Sequence, residues 1–78
     1  MMGYNVEVWK GGEMLESIGN VNMSEHEAET VAFHERDAHI AEGTVDHLEP
    51  ITYDGRIGFV GFSEGGLLFK ILVQKGAG

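Results

Sequence analysis

Apolar and polar residues alternate at the start of the chain. Tyr4, Val6 and Val8 are interleaved with Asn5, Glu7 and Trp9, the period-two pattern of a strand with one buried face. Lys10-Gly11-Gly12-Glu13 supplies a glycine turn, and Met14 to Asn22 is expected to return as a second strand, weakened by Gly19. The pattern predicts a β-hairpin.

The periodicity then changes. Ser24 followed three residues later by Glu27 is a capping box, in which the Ser oxygen accepts the Glu27 amide and the Glu carboxylate reaches back to the Ser24 N–H. A helix is expected to start there. Glu25, Glu27 and Glu29 place negative charge in its first turns, where the helix dipole favours it, and Gly43 is suited to the left-handed residue that ends it. At 100° per residue, Ala28, Val31, Ala32 and Ala38 fall along one side, with Glu35 inside the same arc. Phe33 and Ile40 fall roughly opposite. Two explanations are open: the helix breaks or bends around His34 to Asp37, or Phe33 and Ile40 cover a second surface at a subunit or partner contact.

Beyond Gly43, Val45 to Tyr53 reads as a strand containing Pro50, which lacks a ladder donor and belongs at an edge or a bulge. Asp54-Gly55 is a strong two-residue hairpin signal. Arg56 to Phe62 follows with apolar side chains on both faces, and Glu64-Gly65-Gly66 turns it into Leu67 to Val73. That last run is nearly continuously apolar, as suits a central, well-covered strand. The expected fold is α+β: an antiparallel sheet of about five strands in β-β-α-β-β-β order, with one helix packed on one face. One domain is expected over residues 1–78, with 1–3 and 75–78 frayed.

Composition adds constraints more than functions. There is no Cys, so no disulfide or thiolate metal site is available, and a cytoplasmic location fits. No secretory signal or membrane span is expected. Net charge is −8, which repels phosphate backbones and anionic lipid and argues against direct nucleic-acid or membrane binding. The excess is localised. Residues 1–24, 25–49 and 50–78 carry −2, −7 and +1, and the central segment sets eight carboxylates against Arg36 alone.

Candidate chemistry is sparse. All four histidines, His26, His34, His39 and His47, lie in the acidic segment. His34 with Asp37, and Glu35 with His39, are one helical turn apart, so either pair could face one ion. The HExxH pattern is absent, and a solvated Glu/His face is favoured over a metal site, so neither metal nor cofactor is expected. Ser63 lies in a Gly-x-Ser-x-Gly string that leads into a strand, where a nucleophile elbow needs a helix, and it reads as a turn. No enzyme is expected. Tyr4, Phe59, Phe62 and Phe69 have core spacing, whereas Trp9 shares a strand face with Asn5 and Glu7 and is expected to be partly exposed to a partner.

Carboxylates spaced along a helix approximate a line of phosphates, and arginine pairs with both. In size, charge, absence of catalytic signatures and a Glu/Asp-rich helix beside a hairpin, the chain resembles the small acidic proteins of phages and mobile elements that block host nucleic-acid machinery, notably anti-CRISPR inhibitors. These share no common motif, so the resemblance assigns no residue. It implies a nucleic-acid mimic acting as an inhibitor: a non-enzymatic protein occupying a basic, nucleic-acid-binding site on a protein or nucleoprotein complex. The residues expected to carry such binding are Glu25, Glu27, Glu29, Glu35, Asp37, Glu42, Phe33, Ile40 and Trp9. The β-β-α-β order and length also resemble β-grasp, ubiquitin-like adaptors, although the chain ends Gly76-Ala77-Gly78 without their Gly-Gly tail. A homodimer using Phe33, Ile40 or the Val45 to Tyr53 edge is compatible with either.

Overall fold

The computed structural model describes residues 3–77. Strands β1 (Gly3–Lys10) and β2 (Glu13–Gly19) precede helix α1 (Glu25–Glu42), and β3 (Glu49–Tyr53), β4 (Arg56–Phe62) and β5 (Leu68–Ala77) follow. They form one antiparallel sheet in the order β2-β1-β5-β4-β3. The α+β class and element order are as the pattern predicts. Strand β2 stops at Gly19, three residues short of expectation, because Asn20 to Met23 closes a turn in which the Met23 amide donates to the Asn20 carbonyl at 3.1 Å. Strand pairing reaches closer to the ends than expected: Gly3 pairs with Ala77 and Tyr4 with Lys75. Met1, Met2 and Gly78 lie outside the described residues.

Local chemistry explains the connections. Gly11 and Gly12 have φ of 60° and 86°, and Asp54 and Gly55 have 53° and 75°. Two consecutive positive values match the right-handed twist of flanking hairpin strands. Pro50 is placed in the edge strand β3, where a missing donor costs least. The most apolar strand, β5, sits at the centre between β1 and β4.

Helix α1 is continuous through His34 to Asp37. Both ends are held: the Glu27 amide donates to Ser24 Oγ at 3.1 Å, and the Ser24 amide to Glu27 Oε1 at 3.0 Å. Gly43 takes φ 81°, while its amide and that of Thr44 donate to the carbonyls of Ile40 and His39, each at 3.1 Å. The helix lies over β1 and β5, with Ala28 and Ala32 fully buried against Val6, Val8, Phe69, Ile71 and Val73. Small side chains at these positions let the helix axis approach the sheet. Val45 and Leu48 close one end of the core, and the 43–48 connection runs so near β4 that a Cβ on Gly61 would run into the His47 carbonyl.

The other sheet face has no covering layer among the described residues. Alternation along the strands puts Trp9, Lys70, Leu72, Gly58 and Val60 on that side. No helix among the described residues is long and apolar enough to cross a membrane.

Candidate functional site

The nine residues expected to meet a partner do not form one surface. Trp9 is on the face of the sheet away from α1, where its indole N–H donates to Glu7 Oε1 at 3.1 Å and the Lys70 ammonium lies 5.4 Å from its ring. The other eight are on α1, and helical spacing separates them further.

Glu29, Phe33, Asp37 and Ile40 line one flank and the outer side of the helix at intervals of three and four residues. Phe33 is 39 % exposed, but its inner edge meets Phe59 of β4, with ring centroids 5.2 Å apart and planes at 71°. The Arg36 guanidinium lies 5.0 Å from the Phe33 ring and 5.3 Å from that of Phe59, and it pairs with Asp37 at 2.8 Å. Phe33 is therefore a rim residue of the core. Ile40 is also 39 % exposed.

The counter-charge within the acidic segment is thus used locally. Among the described residues, Glu25, Glu27, Glu29 and Glu42 take part in no ion pair, and Glu25, Glu27 and Glu42 are exposed. Glu27 is held by the capping box, and its hydrogen bonds with Ser24 lower its pKa from the ordinary carboxylate value. Among the described residues, Glu25, Glu29 and Glu42 have neither a cap nor a cation as partner.

Glu35 behaves differently. It falls in the same arc as Ala28 and Ala32, and it packs inward against β2 beside Glu16. A hydrogen bond with Glu16, burial, and the charges of Glu16 and Glu42 together raise its pKa to about 7. His39, one turn on, sits over the sheet with its ring 5.0 Å from Phe69. Its Nε2 is 3.6 Å from Glu35 Oε1, and its Nδ1 is buried without a hydrogen-bond partner among the described residues. The helix thus faces the sheet with two alanines in its first half and with a carboxyl and an imidazole in its second. Sequence spacing pairs Glu35 with His39. It does not reveal Glu16, because the pairing of Val8 with Glu16 depends on a register shift between Val8 and Trp9.

A further surface lies where the β1–β2 and β4–β5 turns meet. The Gly11 amide donates to the Leu68 carbonyl at 2.8 Å, and Met14, Phe62, Leu67 and Leu68 are all exposed there, Phe62 by 67 %. Beside them an open groove of about 410 Å³ has Val60, Phe62 and Leu68 on its apolar side and Asp46, His47 and Glu49 on its polar side. His47 Nε2 is 2.8 Å from Glu49 Oε1. Phe62 is exposed because it alternates with Val60 and Gly58 and pairs with Leu68 on the sheet face away from α1, whereas core spacing alone does not tell which face is covered. Ser63 is buried in the adjoining turn, and its hydroxyl accepts the Leu67 amide at 3.2 Å.

No protein-family model matches the chain, and comparison with curated proteins and with solved structures finds no match to either.

Proposed function

We propose that the protein is a non-enzymatic acidic binding module that docks on a Lys/Arg-lined, nucleic-acid-binding site of a partner protein or nucleoprotein complex, in the manner of the anti-CRISPR-type inhibitors it resembles. One observation carries the reading: the central segment's only Lys or Arg is consumed within its own face by Asp37, Phe33 and Phe59, leaving Glu25, Glu29 and Glu42 without a cation among the described residues. A helix held at both ends presents these carboxylates at fixed spacing. Phe33 and Ile40 add apolar area beside Glu29, where a guanidinium stem can pack while its head pairs with carboxylate, and Glu42 lies on the other flank of the helix near Glu35. Glu35 is not part of this contact, since it faces β2, and Trp9 belongs to the opposite side of the sheet.

Binding of this kind is steered by long-range attraction and weakens with salt. The test is capture of partners from host lysate at low salt with the wild-type chain and with Glu25→Lys/Glu29→Lys/Glu42→Lys. The expected result is a basic, nucleic-acid-binding protein retained by the first and not by the second. Equal capture by both proteins contradicts the proposal.

A second reading, self-association, is favoured by the exposed apolar pair Phe62 and Leu68, with Leu67 exposed beside it. It predicts a dimer in analytical ultracentrifugation that Phe62→Asp dissociates. A monomer at high micromolar concentration rules it out.

A further inference from the structure

The strongest cluster outside the proposed contact face is the one formed by Glu16, Glu35 and His39. We infer that these three side chains form a binding site for a divalent first-row transition ion, with zinc as the representative case. Three potential ligand atoms, one from each residue, lie within 4.8 Å of one another. They come from two elements, β2 and α1, so the site exists only in the folded chain.

The chemistry of the donors fits. Two carboxylate oxygens and one imidazole nitrogen are the mixed O/N set that such ions accept, and three protein ligands leave a position for water. Bonds of about 2.1 Å to a tetrahedral ion place neighbouring ligand atoms roughly 3.4 Å apart. The His39 Nε2 to Glu35 Oε1 separation of 3.6 Å is near that value and too long for an ordinary hydrogen bond. Glu16 is on an exposed strand and can close the remaining distance by a side-chain rotation.

A second observation is independent of the acidic pair. The His39 side chain is only 15 % exposed, and neither ring nitrogen has a hydrogen bond within the described residues: Nδ1 is wholly buried without a partner and Nε2 lies 3.6 Å from Glu35 Oε1. Buried side-chain polar atoms normally have at least one hydrogen-bond partner. Ligation through Nε2 gives the ring one bond that no protein group supplies among the described residues, and it leaves Nδ1 as it is.

Zinc and cobalt(II) chlorides are the probes, added to the full chain after treatment with EDTA. The expected result is a saturable rise in melting temperature of several degrees with one ion bound per chain by calorimetry. Cobalt is expected to give visible absorption bands of a four- or five-coordinate site. Glu16→Gln is the informative variant, because it relieves the carboxylate contact and so should fold at least as well as wild type without metal. It is expected to weaken zinc binding by tenfold or more, as is His39→Gln. The triple variant His26→Gln/His34→Gln/His47→Gln is expected to bind as wild type does. Undiminished binding by Glu16→Gln, loss of binding in the triple variant, or no saturable binding by wild type overturns the inference. None of these readouts involves the partner, so failure here and failure of the proposed docking are separable.

Discussion

At the residue scale, Glu35 concentrates the most physical information. Its neighbours are Glu16 from β2 and Glu42 and His39 from its own helix, and its pKa is about 7 in the metal-free chain. A carboxyl whose folded value lies above its unfolded value contributes stability that is complete below the unfolded pKa and is lost as pH rises through the folded one. The metal-free wild type should therefore lose stability between about pH 4.5 and pH 7 in a way that Glu16→Gln does not. Melting curves of both proteins with EDTA across that range read the difference. Parallel profiles would mean that the two carboxyls do not interact. Glu27 has the opposite sign: its lowered pKa adds stability above its unfolded value that disappears as pH falls through the folded one. Ser24→Ala should flatten that acid-side dependence.

At the scale of elements, the helix depends on its ends. Ser24→Ala removes a cap worth about 1 kcal/mol, and Gly43→Ala places a Cβ at φ 81° at a cost of about 1 kcal/mol. Space is open around Gly43, so that cost is conformational and not steric. Urea denaturation is expected to show both losses, additive because the sites are far apart. Phe33→Ala tests the rim contact with Phe59 and should destabilise by about 1–2 kcal/mol. No loss would make Phe33 an exposed side chain with no structural role.

The elements were legible in the sequence because their signals are local. A capping box, a left-handed glycine and two glycine hairpins each lie within a few residues, and β5 announces its central place by continuous hydrophobicity. What local signals do not reveal is which residues meet across elements. The unbroken helix follows from caps at both ends and no proline between them, while the apparent misfit of Phe33 was settled by Phe59, a residue twenty-six positions away. Glu16 could not be joined to Glu35 and His39 from the pattern, since a bulge sets the register of β2 against β1. Glu35 turns toward Glu16, and Trp9 lies on the sheet face away from α1, so neither shares the outer side of the helix.

At the scale of the whole molecule, the sheet divides the chain into two unlike sides. One is covered by a helix whose outer surface is acidic with a rim of Phe33 and Ile40, and the other is an open sheet face ending in an exposed apolar cluster. The excess of negative charge belongs to the first side. It should slow or prevent approach to nucleic acid itself and promote approach to proteins that bind nucleic acid. The most direct measurement is competition: the captured partner is loaded with its labelled nucleic acid, and the wild-type chain is titrated in at 50 mM and at 300 mM salt. Displacement of nucleic acid is expected at the lower salt, at least tenfold weaker displacement at the higher, and none by Glu25→Lys/Glu29→Lys/Glu42→Lys. Displacement by the charge-reversed chain as effective as by the wild type, or a partner that binds the chain and its nucleic acid together without competition, would contradict the proposed docking.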